Sequence, residues 1–244
     1  SVAKWKDDYT KAREESKKKK SLEDVQSGAT IEDEASKRKV KSILNTRSHL
    51  ILLAQNQKGL QNIFKMISKS YVDDNFYRYP RIDYAILKKH SEGVIAASAC
   101  LGGVYATDYR TNIELGEDAV LDAFRKTTQK MQSIFGDRWY GELQWNNVPE
   151  QHELNRYIIQ MHHEFGIDLI STADSHYYSP DVWKDRELYK RLGFLGKRPE
   201  WMSDELPEDV EEIGYELYPK NGDQMWESYK KYSAECGVKY DDNL

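Results

Sequence analysis

The chain has 244 residues, room for one large domain or one and a half, and is 39% hydrophobic, 32% charged and 12% aromatic, the profile of a soluble globular protein. No apolar run approaches the ~20 residues that span a bilayer, the N-terminus lacks the apolar core of a signal peptide, and two cysteines (Cys100 and Cys236) make no disulfide framework, so a cytoplasmic location is the default. The net charge of -5 is unevenly spread: residues 1–48 hold 13 basic against 9 acidic side chains and the rest 23 against 32, so the body is a poor general binder of nucleic acid.

Residues 1–48 are lysine-rich, with the run Lys17 to Lys20 followed by Glu32-Asp33-Glu34, and read as two solvated helices, about 7–20 and 31–44. The first residue is Ser1, which suits a processed chain or an excerpt of a longer one. At His49-Leu-Ile-Leu-Leu-Ala54 the texture changes to a continuous apolar run, the signature of a buried strand. Leu60, Ile63, Phe64 and Ile67 then recur at amphipathic-helix spacing. A tyrosine-rich loop (71–81) leads to a short helix at 83–89, and Val94 to Ser98 forms a second buried strand running into Ala99-Cys100-Leu101-Gly102-Gly103. A helix at 115–135 stops at Gly136, Trp139 to Gln144 is a third strand, and a helix at 150–165 leads to a fourth strand ending near Asp174.

Alternating strands and helices argue for parallel strands with crossover helices, an α/β sheet or barrel whose functional groups gather at the C-terminal strand ends. Cys100, Asp174 and His176 fall there; His49 opens its strand and so falls at the opposite end by this rule. Asp174 and His176, two residues apart at the strand's end, point to the same side by strand alternation. An acid and an imidazole so placed can hold a metal ion, although such a triplet also serves as a helix cap beside a hydrogen-bonded histidine. Cys100 alone reads as a small buried hydrophobe. His152, His162 and His163 match no motif and read as surface or packing residues, and His90 reads as a surface residue. Beyond Pro180 the chain turns aromatic and acidic, with helices at 181–192 and 223–236, the latter carrying Met225, Trp226, Tyr229 and Tyr232 on one face.

Ser48-His-Leu-Ile-Leu-Leu-Ala-Gln-Asn-Gln-Lys-Gly-Leu-Gln-Asn62, Tyr79-Pro-Arg-Ile-Asp83, Ser91-Glu-Gly-Val-Ile-Ala-Ala-Ser-Ala-Cys-Leu-Gly-Gly103, Glu142-Leu-Gln144 and Ser171-Thr-Ala-Asp-Ser-His-Tyr177 occur in the order and approximate spacing of one family. They resemble the PHP (polymerase and histidinol phosphatase) domain of the bacterial DNA polymerase III alpha subunit, the family C replicative polymerase. The resemblance covers about residues 48–192, and its divergent spacers suggest a phage-borne or otherwise remote member. It implies an α/β fold, a partial PHP-type distorted β/α barrel, with residues 1–48 as a charged helical leader or insertion, 49–192 as the C-terminal part of the PHP domain and 193–244 as a mainly helical connector toward the polymerase palm.

The same resemblance implies His49, Cys100, Asp174 and His176 as metal ligands for zinc, manganese or magnesium in a multinuclear site, with Glu142 nearby but not a ligand. The family's earlier ligands, a His-x-His pair, an Asp-His-Gly motif and a glutamate, have no counterpart in residues 1–48. The implied function is part of a DNA-directed DNA polymerase with a metal-dependent 3′–5′ exonuclease for proofreading; the catalytic residues remain unassigned and the palm carboxylates lie outside this sequence. Its implied partners are the rest of the alpha chain, DNA through the complete polymerase and replisome proteins, with no membrane. The alternatives are a non-catalytic module supporting the polymerase core and a stand-alone PHP phosphoesterase.

Overall fold

A computed structural model describes residues 47–72, 75–77, 79–193 and 216–234. The two expected N-terminal helices, residues 194–215 and Cys236 lie outside them. Within the described residues the chain forms two compact units, one comprising 47–48 and 52–95, the other 49–51 and 96–193 with 216–234.

In the first unit, helix α1 (Gln57–Ser70) follows strand β1 (Ile51–Ala54). The Asn56 side chain accepts a hydrogen bond from the Gly59 N–H at 3.0 Å, satisfying one of the amides left over at a helix start. A Cβ at Gly59 would lie 1.7 Å from the Gly93 carbonyl oxygen, so the helix and the turn at Gly93 touch backbone to backbone. Asn62 donates to the Glu92 carbonyl at 2.8 Å on the same face. The buried face of α1 is therefore Gly59, Asn62, Met66 and Ser70, whereas the apolar residues that announced the helix point outward, Phe64 at 58% exposed. The tyrosine-rich loop contains a short antiparallel pairing of β2 (Phe76–Tyr77) with β3 (Tyr79–Pro80). Helix α2 (Tyr84–Lys89) follows, capped by Asp83, which accepts from the Ile86 N–H at 2.9 Å.

A four-stranded sheet has the order β1-β4-β5-β6, with β4 at Val94–Ala97, β5 at Trp139–Gln144 and β6 at Asp168–Thr172. Strands β4, β5 and β6 are parallel, as the alternation predicts, and β5 pairs with β6 from Tyr140↔Asp168 to Gln144↔Thr172. Strand β1 runs the other way. Its C-terminal neighbour Gln55 bonds Gly93, just before β4, while His49 bonds Gly102, just after it. The sheet is mixed and open, consistent with the expected partial barrel.

The second unit adds helices α3 (Val104–Asn112), α4 (Glu117–Phe135) and α5 (Pro149–Phe165). Its core is aromatic: Tyr105 stacks on Phe124 at 4.7 Å and lies 5.9 Å from Trp139, and Phe124 lies 5.3 Å from Tyr157. Each such ring contributes roughly 1.5–3 kcal/mol by burial, and the polar ends are paired. The Tyr105 hydroxyl meets Thr128 Oγ1 at 2.7 Å and receives the Trp139 indole N–H at 3.3 Å. Helix α6 (Trp183–Gly193) follows the β6 loop. After the residues not described, α7 (Gly222–Ser233) packs Tyr229 against Trp145 at 4.8 Å and Tyr232 against His152 at 5.1 Å. No helix among the described residues is long and apolar enough to cross a membrane.

Candidate metal-ligand cluster at the strand ends

The antiparallel course of β1 settles the position of His49. Because β1 opposes β4, its N-terminal end lies beside the C-terminal end of β4, and His49 meets the turn carrying Cys100. The His49 N–H donates to the Gly102 carbonyl at 2.7 Å, and its ring Nδ1 lies 3.8 Å from Cys100 Sγ. A Cβ at Gly102 would stand 2.6 Å from that Nδ1, so a glycine there leaves room for the imidazole. The Gly102 N–H points at Cys100 Sγ, 3.4 Å away. Burial pushes the Cys100 thiol up; the Gly102 N–H acts against this, while the Asp174 and Glu142 carboxylates add to it. The free Cys100 is only half-buried, unlike an inert core cysteine.

Asp174 and His176 also come together, their Oδ2 and Nε2 being 3.5 Å apart. They do so through a turn and not by strand alternation: β6 stops at Thr172 and Asp174 has a left-handed backbone, φ 45°. Ala99, next to Cys100, is the other described non-glycine residue with positive φ, at 62°. Such conformations cost on the order of 1 kcal/mol each and collect where loops must aim functional groups.

Between the two pairs lies Glu142, 2% exposed near the end of β5. Its backbone N–H donates to Ser98 Oγ at 2.8 Å, tying it to the end of β4. Oε1 accepts from Thr172 Oγ1 at 2.5 Å and Gln144 Nε2 at 3.1 Å. Oε2 is buried with no hydrogen-bond partner among the described residues, an arrangement that costs free energy unless a cation or donor completes it.

The donor set fits divalent metals in kind: a thiol and imidazoles for zinc, carboxylates for harder ions. It does not close around one. Among the described residues no three His, Cys, Asp or Glu side chains come near enough together to hold an ion. The site is thus two donor pairs with a half-satisfied carboxylate between them. The other histidines stand apart from it: His152 is buried against Tyr232, and His162 Nδ1 lies 2.7 Å from the Ile167 carbonyl oxygen. His90, expected at the surface, is instead buried, and burial followed by Lys65, Lys69 and Lys89 lowers its pKa. Sequence reasoning missed the contact behind the second pair, where the Leu217 carbonyl accepts from the backbone N–H of His176 at 2.8 Å. Nothing in the residues around Leu217 announces that contact.

DNA polymerase III subunit alpha of Aquifex aeolicus is 42% identical over 133 residues, 54% of this chain and 11% of that protein. The Helicobacter pylori (strain 26695) protein of the same name is 36% identical over 145 residues, 58% of this chain and 12% of its own length. That of Borreliella burgdorferi is 34% identical over 182 residues, 74% of this chain and 15% of its own. The chain therefore spans only a small fraction of these relatives. Residues 7–146, more than half of it, match the model of one family. The chain belongs to the PHP domain family.

Proposed function

We propose that this chain is part of a DNA polymerase III alpha subunit, and that His49, Cys100, Asp174 and His176 belong to a divalent-metal site for 3′–5′ exonucleolytic hydrolysis of DNA. The observation that carries this reading is the meeting of Cys100 and His49, 51 residues apart in sequence, at 3.8 Å beside the parallel strand ends. In this reading Cys100 and His49 hold one position and Asp174 and His176 another. Glu142 balances charge between them, and the remaining donors come from the rest of the alpha chain. Metals bound there would supply an acidified water and would polarise the phosphate to be hydrolysed. Residues 49–192 are then the C-terminal part of the PHP domain and 193–244 lead toward the palm. The acidic body leaves the grip on DNA to the complete polymerase in the cytoplasm, where replisome proteins are its partners.

A second reading, a non-catalytic support for the polymerase core, is favoured by the lack of a closed three-donor set among the described residues. Cobalt titration separates the two. A thiolate-to-cobalt charge-transfer band, lost in Cys100→Ser, is the expected result; a folded chain with no such band, alone and with the remainder of the alpha subunit added, overturns the metal-site reading.

A further inference from the structure

The loop bearing Asp174 and His176 is fastened from outside the sheet. The Leu217 carbonyl accepts from the backbone N–H groups of both His176, at 2.8 Å, and Tyr177, at 3.3 Å, and the Leu217 N–H donates back to the Tyr177 hydroxyl at 3.2 Å. Leu217 is in turn held by its neighbours. Lys220, its side chain 1% exposed, donates to Glu216 Oε2 at 2.9 Å, to the Trp145 carbonyl just after β5 at 2.9 Å and to Ser228 Oγ of α7 at 2.7 Å, which uses all three protons of the ammonium. The other oxygen of Glu216 accepts from Lys231 at 2.8 Å and from the Tyr232 hydroxyl at 2.7 Å. Residues 216–220 are thus bonded to the end of β5 on one side, to α7 on another and to the His176 backbone on a third.

We propose that residues 216–234 form a positioning brace for the Asp174–His176 loop, with Lys220 and Glu216 as its positioning residues. Buried ion pairs hold geometry well because breaking one strands a charge in a poorly solvated place. The two donor pairs then have separate supports. His49 and Cys100 are fixed by β1, β4 and the Gly102 turn, whereas Asp174 and His176, on a left-handed turn past the end of β6, depend on a segment about 40 residues further along the chain. Displacing α7 frees His176 and leaves Cys100 in place. The brace stands on geometry alone; its bearing on metal chemistry rests on the function proposed above.

Hydrogen exchange on the full chain tests the brace without any metal. Lys220→Met removes the buried ammonium, and Tyr177→Phe removes only the hydroxyl that receives the Leu217 N–H. Both are expected to lower protection of the His176 and Tyr177 amides at least about tenfold, the effect of losing about 1.4 kcal/mol of local stability. Protection within β5, at Leu143 for example, should stay unchanged. Unchanged protection at 176 and 177, or an equal loss throughout the sheet, overturns the proposal, and Tyr177→Phe decides alone if Lys220→Met does not fold. A missing cobalt band with the selective exchange effect intact removes the metal reading and leaves the brace standing.

Discussion

Glu216→Gln isolates the electrostatic core of the brace. Burial opposes ionisation of Glu216, but hydrogen bonds from Lys231, Tyr232 and Lys220 outweigh it and hold the carboxyl down at about 2, against an ordinary 4.5. A folded pKa below the unfolded one means that the unfolded chain binds the proton first as pH falls. The stabilisation is complete well above pH 4.5 and is lost as pH drops toward 2. The difference corresponds to at most about 3 kcal/mol, of which about 2 kcal/mol is already gone at pH 3. The substitution also leaves the Lys220 ammonium buried beside a neutral amide, a loss of the same order. The expected destabilisation at pH 7 is therefore about 2–4 kcal/mol, read as a fall in the urea midpoint at constant slope with tryptophan fluorescence as probe. The gap between wild type and variant should narrow by about 2 kcal/mol between pH 6 and pH 3. A gap that stays constant across that range, or is below about 1 kcal/mol at pH 7, refutes this account of the clamp.

Asp108 behaves in the opposite sense. On α3, burial pushes its carboxyl up to about 6, against the hydrogen bond from Thr127, and its Oδ2 is buried with no hydrogen-bond partner among the described residues. The native state then holds the proton longer than the unfolded chain, so stability falls as pH rises from about 4 to 6. Asp108→Asn should raise the melting temperature by about 2–6 °C at pH 8, for roughly 1–2 kcal/mol after solvent screening, and give no gain below pH 4; melting curves across that range check it. Gly59→Ala should be severely destabilising, by more than about 2 kcal/mol, because its methyl meets the Gly93 carbonyl oxygen at 1.7 Å and neither backbone can retreat cheaply; a melting temperature within 2 °C of wild type would contradict this.

What could be read in the sequence was what local pattern controls. Trp139 to Gln144 was legible as a strand to the residue, because the aromatic pair Trp139-Tyr140 opens a short segment after the break at Gly136. The helices at 117–135 and 149–165 were found within two residues. Helix α3 was not, since Val104 to Asn112 mixes tyrosines with polar residues and has no clear apolar stripe. In α1 the pattern gave the helix but not its buried side, because packing there runs through Gly59 and Asn62, which no hydrophobic period marks. The four candidate ligands were nameable from motifs, yet why His49 reaches Cys100 was not. Strand direction is set by which strand pairs with which, and an apolar run carries no such information. Lys220 was illegible for the converse reason: a lysine is expected in solvent, and only the fold shows that its three protons are used inside.

The distances along the chain between these partners bear on how the protein comes to fold. His49 waits for a cysteine 51 residues later, and the Tyr177 hydroxyl for an amide 40 residues later, so neither donor pair can be set by its own neighbourhood. Contacts of such span form only after a large loop has closed, which makes them late and slow compared with the helices. On a ribosome, a chain that had emerged just past His176 would already carry all four candidate donors, and would still hold Asp174 and His176 slack until α7 arrived.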